Sequence, residues 1–255
     1  MPTEKKLRVA VYKFTGCAGC QMEFLRLEDE LLDIVKKIEF VYFKMAQNRD
    51  ELERYDLCFV EGSVSTPREL EEIKLIRAQT KTLIAFGDCA ITGCVPSIRN
   101  WLSQSEVERA VYRDTSPIRS FKVGGIGEYV PVDISLSGCP PHKDMIFATI
   151  RSSLLGIRPD LRKHAVCMEC KLRENVCILT SLSKLCMGPV TRGGCGAICP
   201  TYGRECEGCY GPMSDANPSP LASEFRRLGI STDDLVRKFR KYAGTSKEFR
   251  EVSGL

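Results

Sequence analysis

The sequence predicts an α/β fold, with a doubly wound parallel sheet over residues 1–158 and a smaller, loop-rich domain over 159–255. Two observations lead there. Up to about residue 156, short apolar runs alternate with stretches of helical periodicity. Beyond Arg158-Pro159 that alternation gives way to a segment dense in Cys, Gly and Pro. Strands alternating with helices imply βαβ units with right-handed crossovers.

The elements follow in order. Residues 7–14 (LRVAVYKF) read as a buried strand, and residues 22–37 carry leucine and isoleucine at helical spacing. Residues 39–45 (EFVYFKM), 57–60 (LCFV) and 82–86 (TLIAF) are three further strands. A helix over 67–78 lies between the last two, with Thr66 as its N-cap and proline in its first turn. A last strand over 130–136 leads into a helix from about 143 to 155. A flavodoxin-like doubly wound sheet matches this order. In the tail, helical pattern returns at 221–228 and 233–242, the second after Ser231 or Thr232 as cap.

Composition narrows the class. Charged residues make up 27% of the chain, and no apolar run approaches the ~20 residues of a membrane helix. The net charge of +4 is small and evenly spread, which argues against nucleic acid. The start, MPTEKKLRVAVYKF, has no signal-peptide core and no twin-arginine leader. A cytosolic protein with reduced thiols is expected. Its fourteen cysteines then point to metal rather than disulfides.

Four cysteines fall just past predicted parallel strands. Cys17 and Cys20 (TGCAGCQ) follow the first strand, Cys89 (GDCA) follows 82–86, and Cys139 (SGCPP) follows 130–136. Ligands bind at that edge of an open α/β sheet, so four thiols from three loops can meet around one centre. Structural zinc takes closely spaced ligand pairs from a small knuckle, and a lone CxxC suits a thioredoxin-like redox pair. One CxxC with two distant single cysteines, on a domain large enough to fold alone, favours a functional cluster.

Eight more cysteines lie between 167 and 209: Cys167, Cys170, Cys177, Cys186, Cys195, Cys199, Cys206 and Cys209. Residues 164–217 have almost no continuous apolar periodicity and too little apolar surface to offset their ordering entropy. They are either disordered or held together by metal. Eight thiolates make two four-cysteine sites, which suits two 4Fe–4S clusters. The simplest partition is sequential. Cys199-Pro200 resembles the Cys-Pro of ferredoxins, whose cysteine ligates the other cluster, so an interleaved partition stays open. Two zinc ribbons built on CMEC and CEGC are the alternative.

In one order, TGCAGCQ (15–21), VEGSV (60–64), GDCAITG (87–93) and GCPP (138–141) resemble the small subunit of nickel–iron hydrogenases. The likeness is to the cytosolic, multi-subunit branch with the delta subunit of sulfhydrogenases. It implies a proximal 4Fe–4S cluster on Cys17, Cys20, Cys89 and Cys139, facing a large subunit that holds the nickel–iron centre. It also implies a distal 4Fe–4S cluster on Cys167, Cys170, Cys177 and Cys186, and a medial one on Cys195, Cys199, Cys206 and Cys209. The expected function is electron transfer for hydrogen oxidation or proton reduction. Coupling to NADP(H) through FAD- and NADP-binding and further iron–sulfur subunits, and polysulfide reduction, are implied as well. A deazaflavin- or heterodisulfide-reductase-linked hydrogenase and a zinc-stabilised scaffold are the competing functions. GGIGEY at 124–129 lacks the GxGxxG order, so no dinucleotide site is expected in this chain.

Several residues are placed by elimination. Many relatives carry glutamate where this chain has Met22, which leaves Glu23 as a solvated or capping carboxylate. Glu61 matches the family's EGS motif, which implies a place near the proximal cluster; a polar residue ending a strand is the alternative. His164 takes the HxxC position that relatives use for a ligand, but enough cysteines are present for it to lie behind the site. His142 reads as a loop residue, Cys58 as a small buried hydrophobe, and Cys94 as a small residue further along the loop of Cys89.

Overall fold

A computed structural model describes residues 6–48 and 54–254. The first five residues, part of the start from which the lack of a leader is expected, lie outside them. Five parallel strands form one sheet in the order β2-β1-β3-β4-β5, the flavodoxin-like order. They are β1 (Leu7–Lys13), β2 (Ile38–Phe43), β3 (Tyr55–Glu61), β4 (Thr80–Phe86) and β5 (Ile134–Leu136).

Both faces of the sheet are buried, as parallel sheets require. Val9, Val11, Leu57, Phe59, Ile84 and Phe86 point to one core. The alternate residues Ala10, Tyr12, Cys58, Val60, Leu83 and Ala85 point to the other. Cys58 is fully buried among them, a small hydrophobe as expected. In the first core Phe24 meets Phe43, Phe59 and Phe86 edge to face.

Two elements differ from expectation. The helix expected over 22–37 is two, α1 (Gly19–Leu25) and α2 (Asp29–Lys37), broken at Glu28 with φ +46°. Phe24, Leu27 and Ile34 are buried and share the spacing of one continuous helix, so periodicity alone cannot show the break. The strand expected over 130–136 pairs only as Ile134–Leu136. Val130 closes a turn on Ile126, and Pro131 has no N–H for the ladder. The other helices of this half are α3 (Pro67–Gln79), α4 (Asp88–Thr92), α5 (Gln104–Val111) and α6 (Lys143–Leu154). Thr66 caps α3 in a full capping box with Glu69.

Beyond α6 come α7 (Val166–Leu172), α8 (Ile178–Leu182), α9 (Ile198–Thr201), α10 (Pro218–Arg227), α11 (Thr232–Arg240) and α12 (Arg250–Ser253). They share a core in which Val166, Ile178, Met187 and Val190 pack with Leu221, Phe225, Leu235, Phe239 and Phe249. The cysteine-rich segment is therefore not without apolar support. Its buried side chains are too scattered to show a period, and the C-terminal helices cover them.

Candidate metal centres

Strand register brings the first four cysteines to one edge. Lys13 pairs with Glu61, Glu61 with Phe86, and Phe86 with Leu136, so β1, β3, β4 and β5 end level. The loops after them are laced together: Thr15 pairs with Ser63, Gly87 N–H donates to Leu136 O (2.8 Å), and Asp88 N–H to Gly138 O (2.9 Å). A Cβ on Gly62, whose φ is +92°, would lie 2.6 Å from Phe14 C, so only glycine permits the crossing of the first and third loops.

Cys20 is buried at the start of α1, while Cys17 is exposed beside it. Burial raises the Cys20 thiol above its ordinary range, and Glu61, Cys89, Cys139 and Cys17 all raise it further. The four predicted thiols thus share one neighbourhood. A Cβ on Gly87 would fall 2.3 Å from Cys20 Sγ, so glycine keeps that cradle open. Cys94 joins them unexpectedly. It is fully buried beside Cys139 and Cys89, which both raise its thiol, while it lowers Cys139.

Glu61, almost fully buried, accepts from the backbone N–H groups of Cys20 (3.3 Å) and Gln21 (3.2 Å). Those are otherwise unpaired amides of a helix start. Burial raises its carboxyl, and these two amides pull it back. Glu23 instead pairs with Arg26 at 2.7 Å.

The later cysteines fall into two neighbouring sets. Burial lifts the Cys167 thiol to about 11, and its charge neighbours are Cys186, Cys170 and Cys177. A Cβ on Gly188 would sit 3.3 Å from Cys167 Sγ and 3.6 Å from Cys186 Sγ. Burial also raises Cys209, whose neighbours include Cys206 and Cys195, and Cys195 adjoins Cys199. The sets touch where Cys206 N–H donates to Cys186 Sγ (3.3 Å). Cys209 in turn feels Cys139 of the first set. Each set surrounds a neighbourhood rather than a point. Among the described residues, no three Cys, His, Asp or Glu side chains converge as tightly as a lone metal ion requires.

These residues fit iron–sulfur clusters. All fourteen cysteines are free thiols. Backbone amides aim at several sulfurs: Gly19 at Cys17, Ile198 at Cys195, Gly208 at Cys206. As free thiols most of the buried ones resist ionisation, whereas a bound cation inverts that logic. Glycine cradles, thiol donors and aimed amides are what such a cluster needs.

Four supporting residues escape sequence reasoning. Asp88, inside GDCAITG, is almost fully buried; burial lifts its carboxyl to about 8, against the Gly138 amide that hydrogen-bonds it. Glu169, in the middle of CMEC, is buried and accepts from Gly194 N–H (2.7 Å) and Ala197 N–H (3.2 Å). It thereby ties the Cys195 loop to α7. Tyr210 accepts from His142 N–H (2.9 Å), joining the last cysteine loop to the start of α6. Tyr242 feels Cys209 and Cys139 from α11's end. Only the position of Asp88 within a motif signalled any of this. His142 caps α6, and His164 faces Glu169 at 3.5 Å.

The family described as NADH ubiquinone oxidoreductase, 20 Kd subunit, matches residues 17–153. Sulfhydrogenase 2 subunit delta of Pyrococcus furiosus is 36% identical over 93% of this chain and 99% of its own length. The chain belongs to this family as a hydrogenase small (delta) subunit. The delta subunit of the NAD-reducing hydrogenase HoxS of Cupriavidus necator is 30% identical over 61% of this chain and 82% of its own. Among solved hydrogenases, an NAD+-reducing NiFe-hydrogenase chain is 26% identical, with TM-score 0.58 over 62% of this chain and 96% of that one. An actinobacterial-type NiFe-hydrogenase chain from Ralstonia eutropha, 18% identical, shares the fold with TM-score 0.59 over 94% of this chain and 90% of its own. Among the described residues, no helix of this hydrogenase small subunit is long and apolar enough to cross a membrane.

Proposed function

We propose that this chain is the electron-relay subunit of a cytoplasmic nickel–iron hydrogenase and that it carries three 4Fe–4S clusters. Cys17, Cys20, Cys89 and Cys139 hold the proximal cluster. Cys195, Cys199, Cys206 and Cys209 hold the medial one, and Cys167, Cys170, Cys177 and Cys186 the distal one. When bound, the clusters supply one-electron carriers. The chain holds their sulfurs, aims backbone amides at them and buries them from water, which sets each potential.

One observation carries this reading: the three thiol sets form an unbroken series. It starts at exposed Cys17, passes from Cys139 to Cys209 and from Cys206 to Cys186, and ends at exposed Cys177. A relay needs that arrangement, with one end open to each partner. A large subunit holding the nickel–iron centre faces the Cys17 end, and subunits binding FAD and NADP(H) or further clusters take electrons from the other. The NAD-reducing name of one relative supports coupling to a nicotinamide nucleotide, taken here as NADP(H), and the sulfhydrogenase name of another supports reduction of a sulfur compound, taken here as polysulfide. The proximal cluster belongs to a sheet domain of residues 1–158 and the other two to a domain of residues 159–255.

Metal analysis of the anaerobically purified complex tests the reading. Three cubanes require about twelve iron and about twelve acid-labile sulfide in this chain. Near-stoichiometric zinc with negligible iron would mean a zinc-stabilised scaffold instead.

A further inference from the structure

The C-terminal helices also tie two cysteine loops to each other. At the end of α11, Lys238 and Lys241 meet the two carboxylate oxygens of Glu207, at 2.9 and 2.8 Å. Glu207 lies between Cys206 and Cys209, and the Lys238 side chain is only 8% exposed, so this is more than a surface pair. A few residues on, Thr245 Oγ1 donates to Thr92 O. A Cβ on Gly244 would fall 3.0 Å from Trp101 Cζ2, and the Arg240 guanidinium lies 4.0 Å from the centre of the Trp101 ring. Thr92 ends α4, which carries Cys89, and Trp101 ends the 3-10 helix Val95–Trp101 that follows Cys94. Residues 238–245 therefore run from the loop of Cys206 and Cys209 to the loop of Cys89 and Cys94.

The stretch is braced along its length. Arg240 Nε donates to Ser253 O (2.8 Å), and the buried Ser253 hydroxyl donates to Gly244 O (2.7 Å). Asn100, beside Trp101, donates from its side chain to Val123 O (2.7 Å) and accepts from Val123 N–H (2.9 Å). Gly124 pairs with Val64 just after β3, so the Trp101 end is bound to the sheet. A cation over an indole face and buried hydrogen bonds hold such a stretch in one place. Tyr242, midway, has Cys209, Cys139 and Cys94 among its charge neighbours, so the stretch passes beside the gap between the two sets.

We propose that residues 238–245 are a strap that sets the separation between the proximal and medial cysteine sets, with Trp101 and Thr245 as positioning residues at its proximal end. The proposal rests on the function proposed above. The step served moves one electron from the proximal to the medial cluster, with no bond made or broken. Its rate falls steeply with separation, and two halves of a chain shift against each other unless their interface is large and apolar. The hydrogen bond from His142 N–H to Tyr210 secures the Cys139 side of this seam. The strap secures the Cys89 side.

The test uses the whole complex, purified anaerobically. Wild type is compared with Trp101→Ala/Thr245→Val, with Thr245→Val alone and with Thr245→Ser. The readings are iron content, exchange of hydrogen gas with deuterated water at the large subunit, hydrogen-dependent reduction of a viologen dye, and the magnetic coupling of the reduced proximal and medial clusters by electron paramagnetic resonance. In the double variant, iron and exchange should be unchanged and the magnetic coupling weaker. Dye reduction should slow about threefold or more, the scale on which packed networks couple distant sites. Thr245→Ser, which keeps the donor, should match wild type. Wild-type coupling and dye reduction in the double variant would overturn the proposal. So would an equal fall in exchange and dye reduction, since the fault would then lie at the large subunit. If the double variant loses iron, Thr245→Val alone, which keeps the side-chain size, decides by the same coupling and dye readings. A wild-type chain without iron would instead overturn the relay function itself.

Discussion

Cys94 shows how a residue's chemistry depends on a turn too short for periodicity to reveal. In the sequence it lies five positions past Cys89 and appears further from the strand end. The five-residue helix α4 turns the chain back, and Cys94 returns with φ +44° to lie beside Cys89 and Cys139. Cys89 still follows β4 most directly and neighbours Cys20, so it remains the expected ligand. Replacing Cys89 with alanine should remove or convert the proximal cluster and abolish hydrogen-dependent reduction of the acceptor. Cys94→Ala should keep the 4Fe–4S signal while lowering its potential, because a buried thiol beside the ligand sulfurs is lost. Electron paramagnetic resonance of the assembled complex separates the two. Survival of the signal in Cys89→Ala and its loss in Cys94→Ala would reverse the assignment.

Among the elements, β5 is the shortest strand, and a side-chain network holds it. Asp133, just before it, accepts from Leu83 N–H (2.7 Å) and pairs with Arg77 of α3 (2.6 Å), while Arg77 also reaches the Thr80 carbonyl. The loop after β5 carries Cys139, so this network bears on the site's position. Burial works against the ionised Asp133, but the Leu83 amide and the Arg77 guanidinium outweigh it and hold the carboxyl below its ordinary range. A carboxyl lowered on folding stabilises the fold at pH above its unfolded value, and that stability is lost as pH falls through the folded value. Asp133→Asn should therefore cost about 1 kcal/mol near neutral pH, the scale of a partly exposed pair, and the difference from wild type should vanish in acid. Urea unfolding at several pH values measures both. A cost that persists undiminished below pH ~3, under the ordinary carboxyl value, would show that the charge is not responsible.

For the molecule as a whole, the question is what holds residues 164–217. Composition alone leaves metal as the only support, but Val166, Ile178, Met187 and Val190 are anchored by Phe225, Phe239 and Phe249 from the C-terminal helices. Metal and apolar core therefore share the task, and loss of the clusters should open only part of the region. Hydrogen exchange on cluster-free protein should show the amides of 167–209 losing protection, with β1, β3, β4, α10 and α11 still protected. Equal protection throughout would mean that metal contributes nothing to order there. Collapse of α10 and α11 together with the loops would mean that the apolar core cannot stand without it.

Read from the chain alone, the parallel sheet, the sheet edge bearing Cys17, Cys20, Cys89 and Cys139, and the eight later thiols were all legible. Each rests on local information: short continuous apolar runs, glycine beside cysteine, and motif order. The break at Glu28, the shortness of β5 and the cover supplied by Phe225, Phe239 and Phe249 were not, because each depends on contacts between distant segments. The same holds for Asp88 beneath Gly138, Glu169 beneath the Cys195 loop, and the amides at the start of α1 that Glu61 accepts from. In the sequence a buried carboxylate looks like any solvated one. Only the fold brings it the backbone amides that replace water, and with them its role in positioning the thiols.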